Sequence, residues 1–285
     1  MENGSFVLTL ACPDTLGIVS AVSTWLFKRR CNILESAQFG DANTGRFAMR
    51  IRFRAEHEHP SVAQLERDFD DIRLRFDMTC NLRQYELPPR ILIMVSRQDH
   101  CLHDLLYRYR IGELNVDVRG VISNHTAVAE SVAAHRLRFM HWPVDERSRP
   151  RWDEKFLELI DDEKIDFVVL ARYMRILSRD VCSRLPARII NIHHSFLPGF
   201  KGAQPYVQAY ERGVKVIGAT AHYVTPDLDE GPIIEQDVVR VDHAMSAAAL
   251  AAVGRDIEKL VLARAVRYQT EQRIVLNGTK TIVFR

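Results

Sequence analysis

Two short segments of the chain bring together an amide, an imidazole and a carboxylate. The first is Asn191-Ile192-His193-His194-Ser195-Phe196-Leu197-Pro198, and the second is Asp227-Leu228-Asp229-Glu230-Gly231-Pro232. Asn191 can donate to a carbonyl oxygen that is turning negative. His193 can hold or move a proton near neutral pH. Asp229 can fix the orientation of that imidazole and favour its charged form. Together they suit attack on a carbonyl carbon with no nucleophilic side chain and no metal. The competing reading of Asn191 and His193 is a satisfied strand end with Asn capping a turn; Asp229 tips the balance. His193, His194 and His222 also raise zinc, for which imidazoles are common ligands. Neighbours on a strand point to opposite sides, however, and no acidic partner stands at helical spacing, so no metal is expected. His194 is read as a packing or wall residue. His222 suits structural burial as well as a pocket. Cys101 is read as a small hydrophobe and His100 as pocket lining only.

The elements that must position these groups follow from periodicity. Ser5 to Ala11 alternates as a strand, Pro13 to Arg29 carries a helical stripe, and Asn32 to Phe39 and Arg46 to Phe53 alternate again around the turn at 41–45. Val62 to Phe76 reads as an amphipathic helix and Met78 to Tyr85 as a strand. The order βαββαβ is that of a ferredoxin-like sandwich. Pro88-Pro89 marks a joint, dividing the chain into residues 1–85 and 86–285. Beyond it, Arg90 to Val95 and Asp166 to Ala171 are continuous apolar strands of the kind buried on both faces. They alternate with helical stretches at Leu102 to Tyr109 and Lys155 to Asp161, so the second domain is α/β with a Rossmann-like, mostly parallel sheet. Strand Ala187 to His193 then places Asn191 and His193 at a carboxyl end, where such sheets bind ligands. Val216 to Thr225 and Ile233 to Val241 read as strands, Ser246 to Gln269 as a long helix, and Arg273 to Arg285 as a hairpin around Asn277-Gly278.

Composition narrows the function classes. The net charge of +2, from 39 basic and 37 acidic side chains, gives no reason to expect nucleic acid or an anionic membrane as partner. No apolar run is long enough to span a bilayer, and the polar start shows no signal peptide. Five cysteines without a CxxC pair read as reduced thiols in a cytoplasmic protein.

The run NIHHSFLPGFKGAQPY, followed by HYVTPDLDEGPIIEQ, resembles the formyltetrahydrofolate-dependent hydrolases and transferases, which keep Asn-x-His after a sheet strand and Asp in an LDxGP loop. The resemblance spans roughly residues 90 to 285 and implies Asn191, His193 and Asp229 as the catalytic set. The segment 171–178 resembles that family's pterin-binding loop; its competing reading is an apolar helix start. The resemblance thus implies Met174, Arg175, Ile176, Leu177, Val224, Thr225 and Gly202 as substrate-binding residues. Lys201 is family-like but read as a loop charge, and Gly199-Phe200 as a hinge for a flap. The stretch CPDTLGIVSAVS resembles an ACT domain. That likeness implies a homo-oligomer, dimer or tetramer, and an amino-acid effector held by Asp14, Leu16 and Gly17, with Asn32 and Ile33 facing the same pocket from a partner copy; the competing reading is that Gly17 only permits tight helix–sheet packing and the domain only dimerises. With SRQDHCLHDLL in the first βα turn, the whole resembles the deformylase branch of the family.

Within the family, the acceptor can be argued from the residues. A phosphorylated acceptor needs a Gly-rich anion cradle. The turn from Ser96 to Cys101 has no glycine, and Asp99 would repel phosphate. Charged tRNA would need a large basic surface. Water remains, so the expected reaction is hydrolysis of 10-formyltetrahydrofolate to formate and tetrahydrofolate, serving purine and one-carbon metabolism without a cofactor. Two alternatives stay open: a transferase with an unidentified acceptor, and a non-catalytic folate-binding regulator. Whether His193 or Asp229 is the general base is also open.

Overall fold

The computed structural model describes residues 4–56, 60–143, 149–199 and 205–285. Two compact units emerge: residues 1–88 with 271–285, and residues 89–270.

The first unit runs β1 (Ser5–Pro13), α1 (Ile18–Lys28), β2 (Cys31–Asp41), β3 (Arg46–Ala55), α2 (Val62–Arg75) and β4 (Thr79–Gln84). Its sheet has the order β2-β3-β1-β4 with antiparallel neighbours, a ferredoxin-like topology. Helix α1 starts later than its apolar stripe indicates, because Pro13 closes β1 and Gly17, at φ 95°, is the residue before the helix. Helix α2 begins at Ser61, whose hydroxyl accepts from Gln64 N at 3.2 Å. Ile18, Val22, Trp25 and Leu26 of α1 pack with Leu65 and Phe69 of α2 onto Phe6, Leu8, Leu10, Ile51 and Phe53 of the sheet.

The hairpin β12 (Ile274–Asn277) and β13 (Lys280–Val283) forms where expected. It groups with the first unit, whereas the sequence division assigned it to residues 86–285. Val275 and Phe284 pack on Ala11 and Ala48. Asn277 Nδ2 donates to Asp41 Oδ2 at 2.7 Å. The buried Arg50 bonds Glu35 at 2.7 Å and the Glu271 carbonyl through Nε and Nη2 at 3.2 and 3.0 Å. Strand β1 is therefore buried along almost its whole length.

The second unit is the expected α/β fold. It runs β5 (Arg90–Val95), α3 (His100–Arg110), β6 (Asp117–Ser123), α4 (Ala129–Ala134), β7 (Phe139–His141), α5 (Arg149–Asp162), β8 (Phe167–Leu170), α6 (Arg179–Arg184), β9 (Ile189–His193), α7 (Pro205–Glu211), β10 (Val216–Tyr223), β11 (Ile233–Arg240) and α8 (Ala247–Thr270). The short elements α4, β7 and α7 were not anticipated; three to seven residues carry too little periodicity to stand out. The seven strands lie in the order β11-β10-β9-β8-β5-β6-β7. From β7 to β9 they are parallel, and β10 and β11 add antiparallel pairs. The order reverses between β5 and β8, so the crevice beyond their carboxyl ends is the natural ligand site.

Candidate active site

Asn191 and His193 stand two residues apart on β9, so both side chains leave the same face. Register brings a third group to them: β10 pairs antiparallel with β9, with His222 opposite Asn191. The His222 ring donates Nδ1–H to the Tyr223 carbonyl at 2.9 Å, which turns Nε2 towards Asn191 Nδ2 at 3.3 Å. The Asn191 amide has two N–H groups, so one serves His222 and the second is left for the cleft.

Asp229 enters from the loop between β10 and β11. Its backbone is left-handed at φ 56°. The loop closes because Tyr223 N donates to Pro232 O at 2.9 Å, and because Gly231 has no Cβ; one built there would lie 1.7 Å from the Tyr223 carbonyl oxygen. Asp229 Oδ2 lies 3.3 Å from His193 Nδ1, and Oδ1 lies 3.6 Å from His222 Nε2. One carboxylate thus faces two imidazoles. Burial pushes its carboxyl up, but the hydrogen bond and charge of His193 outweigh this and hold it well below the usual carboxylate range. Asp229 is an anion at neutral pH and a weak base.

His193 is buried, with 4% of its surface exposed. The loop after it is pinned by a buried hydroxyl: Thr220 Oγ1 donates to Ser195 O at 2.9 Å and accepts from Leu197 N at 3.0 Å. Strand β9 ends at His193, so the alternation argument for His194 does not carry past it; the two rings lie 5.1 Å apart and both border the cleft. Burial, then Arg172 and His193, push the His194 imidazole down to about 3. A neutral ring there is a wall, as expected.

The cleft, about 200 Å³, is lined by Asn191, His193, His222 and Asp229 on one side. Met174, Arg175, Ile176 and Leu177, with Val224 and Thr225, line the rest. The 171–178 segment is irregular, not a helix start. Met174 and Ile176 are 56% and 63% exposed while Leu177 is buried, so the loop presents apolar surface for a flat ring to cover. Its backbone is anchored by Met174 N donating to Ser96 Oγ at 2.9 Å. Gly202, Lys201 and Phe200 lie outside the described residues. Gly199 N donates to Phe196 O at 2.9 Å, closing a turn.

Arg172 and Tyr173 belong to the cleft but were not singled out, while His222, which suited burial and a pocket equally, is both buried and part of the cleft lining. Only His222 left a sequence signal, a lone polar ring in the apolar run Ile217 to Tyr223. His100, expected to line the pocket, instead bonds Glu258 at 2.8 Å. The Cys101 thiol is buried, and burial pushes it well above its ordinary range, so it is no nucleophile.

In the first unit the five effector candidates do not share one pocket within the chain. Asp14, Leu16 and Gly17 precede α1, whereas Asn32 and Ile33 follow it. Its 11 residues separate them by about 16 Å.

Residues 89–266 match the model of the formyl transferase family. The chain is 48% identical to a formyltetrahydrofolate deformylase of Bacillus subtilis, over 97% of this chain and 93% of that one. A crystal structure of a formyltetrahydrofolate deformylase from Burkholderia mallei superimposes with a TM-score of 0.94 at 48% identity, covering 99% of this chain and 100% of that one. A glycinamide ribonucleotide transformylase from Symbiobacterium toebii covers 72% of this chain and 97% of its own, with a TM-score of 0.65 at 31% identity.

Proposed function

This chain belongs to the formyl transferase family and, within it, to the formyltetrahydrofolate deformylases, and we propose that it hydrolyses 10-formyltetrahydrofolate to formate and tetrahydrofolate through Asn191, His193 and Asp229. The observation that carries the assignment of roles is the single carboxylate of Asp229 set 3.3 Å from His193 Nδ1 and 3.6 Å from His222 Nε2, beside the amide of Asn191.

The pterin ring of the substrate lies against Met174, Ile176 and Leu177, with Val224 and Thr225 opposite. This puts the N10-formyl group near Asn191 and His193. Water attacks the formyl carbon, and its proton passes to His193. The second N–H of Asn191 donates to the oxygen as it becomes negative, a contact typically worth ~3–4 kcal/mol of barrier. The imidazolium of His193 gives the proton to N10 as the C–N bond breaks. Formic acid then loses its proton to solvent. Asp229 is too weak a base to take the water proton. It holds His193 by Nδ1, and we assign the base role to His193. His222 keeps the Asn191 amide turned to the cleft.

No step of this reading calls for a cofactor or a metal; activity lost on exhaustive chelation and restored by zinc would overturn it. Formate release from 10-formyltetrahydrofolate without any added acceptor tests the reading. Turnover that required an amine would point to transfer instead.

The first unit fits an ACT-like module that assembles copies of the chain and takes a small amino acid. Its support is topology and surface. Strand β2 is an 11-residue edge on which Ile33, Leu34 and Phe39 are exposed, and such edges pair readily. Leu16 and Phe27, at the two ends of α1, are 98% and 81% exposed. A pocket containing Gly17 from one copy and Asn32 from another would unite the effector candidates. Cytoplasmic residence goes with this reading: all five cysteines are free, and among the described residues no helix is long and apolar enough to cross a membrane.

A further inference from the structure

The strand order reverses between β5 and β8, and the crevice beyond their carboxyl ends is the natural place for a ligand. The cleft lies elsewhere: it is lined by the segments that follow β8, β9 and β10, and not by the turn between β5 and α3. The protein's own side chains occupy the crevice at β5. Ser96 N, at the end of β5, donates to Arg172 O, just after β8, at 3.2 Å. The Arg172 side chain runs to the turn, where its Nε and Nη2 donate to Gln98 Oε1, the first at 2.9 Å. Its Nε also stands 3.3 Å from Oε2 of Glu258, on α8. The same Oε2 meets His100 Nε2 at 2.8 Å, and Oε1 accepts the Tyr206 hydroxyl at 2.5 Å.

This filling is tight and charged. Arg172 and Glu258 are both buried. Tyr206 reaches Glu258 across Gly254 of α8, where a Cβ would lie 2.1 Å from the ring. Closure is complete enough that Arg172 Nη1 is buried without a hydrogen bond, which is unfavourable for a charged group. Arg172 also keeps a left-handed backbone, φ 64°, strained for an arginine. Burial pushes the Glu258 carboxyl up, but His100, Arg172 and Tyr206 outweigh this and lower it, so it stays an anion beside the guanidinium. The cluster stands directly behind the cleft wall. Arg172 and His194 border the cleft, and the His194 ring lies 5.1 Å from that of His193 and 6.4 Å from that of Tyr206.

We propose that Arg172, Glu258 and Tyr206 are specificity-determining residues, which fill the space an amine acceptor would need beside His193 and so leave the formyl group to water. The proposal rests on the hydrolytic reading above and names what enforces it. Transfer would join an amine nitrogen to the formyl carbon as the C–N10 bond breaks, the amine's proton passing to N10. Such a nucleophile is larger than water and must be seated next to His193. It gains room only by parting Arg172 from Glu258, and breaking a buried ion pair leaves a charge unmet. Water reaches the formyl carbon through the cleft and needs no such opening. The cluster thus acts against the wrong acceptor, not for the right one.

The test measures how the formyl group partitions between water and an added amine. The full-length protein turns over 10-formyltetrahydrofolate in excess glycinamide, and formate and formylglycinamide are quantified together by mass spectrometry. Native protein is compared with Tyr206→Ala and with Arg172→Gly/Glu258→Ala, which removes both charges at once and suits the left-handed backbone. The expected result is formate alone from the native protein and a share of formylglycinamide about tenfold or more higher from the variants. A variant that is merely slower leaves the product ratio unchanged, so the ratio separates an opened space from a damaged site. Thermal unfolding verifies each fold. Native protein that forms formylglycinamide as readily as formate overturns the proposal, and so do folded variants that yield formate alone. If both variants fail to fold or lose all turnover, the cluster is a structural brace and the proposal falls. Native protein that releases no formate without glycinamide sinks the hydrolytic reading, whereas formate release with an unchanged ratio in the variants sinks the acceptor barrier alone.

Discussion

At the scale of single residues, the site is a set of mutual constraints. Asp229 orients His193, His222 orients Asn191, and the Tyr223 carbonyl orients His222. Removing the proton carrier or its partner should cost most. His193→Ala and Asp229→Ala are each expected to lower turnover by ~100-fold or more with the fold retained; near-normal turnover in either would remove that residue from the mechanism. Asn191→Ala should depress kcat more than it raises KM, since oxyanion contacts strengthen in the transition state. A pure KM effect would make Asn191 a folate-binding group only. His194 gives a pH prediction. Burial, then Arg172 and His193, push it from an ordinary 6.5 down to about 3. Below pH 6.5 the unfolded chain takes up a proton that the folded protein refuses until about pH 3. The stability contributed by the neutral ring is therefore complete above 6.5 and declines as pH falls through that window. Urea unfolding at about pH 7.5 and about pH 4.5 should show a smaller acid loss in His194→Gln than in the native protein. Equal losses would mean that the folded protein protonates His194 readily.

At the scale of elements, the catalytic set depends on one register and one loop. The β9–β10 pairing sets His222 opposite Asn191, and a slip of one residue would turn His222 to the other face. The loop that delivers Asp229 folds back on Tyr223 only because Gly231 lacks a Cβ. Gly231→Ala should therefore displace Asp229, lowering kcat by an order of magnitude or more while changing global stability little. Unchanged kcat would show that the loop tolerates the shift. Strands β5, β8 and β9 stand where expected, as does α8; the strands were legible in the sequence because their runs are almost continuously apolar, and α8 because its helical pattern is long. The segment 171–178 was not, since its apolar residues at 174, 176 and 177 fit a helical stripe as well as a cleft wall. The choice was made by Ser96, which takes the Met174 N–H that a helix would use internally.

At the scale of the whole molecule, the last 15 residues matter beyond their length. Residues 271–285 cover the sheet of the first unit, not the second, and bond its buried Arg50. Deleting them should expose Ala11 and Ala48, leave Arg50 short of its carbonyl partner and lower the melting temperature of the first unit's transition. An unchanged melting profile would show that the hairpin is dispensable. For the same reason, a fragment that tests the catalytic unit by itself should end at residue 270, since one running to 285 carries an orphan hairpin. The fragment 89–270 should keep formate release, lose the native oligomer mass and lose any amino-acid response. A fragment that kept both the mass and the response would refute the role given to the first unit.

The amino-acid sequence by itself determined the ferredoxin-like and the α/β orders of strands and helices, the joint at the prolines, the family, and the choice of Asn191, His193 and Asp229 as candidates for the chemistry. These depend on local periodicity and on residue types at short spacing, which the chain carries on its face. Only the tertiary structure decided that His222 completes the site, that His100 serves Glu258 and not the cleft, that Arg172 stands buried with a donor to spare, and that the final hairpin serves the first unit. Each of these joins residues tens to hundreds of positions apart through register, burial or a missing Cβ, and no spacing along the chain encodes such a meeting.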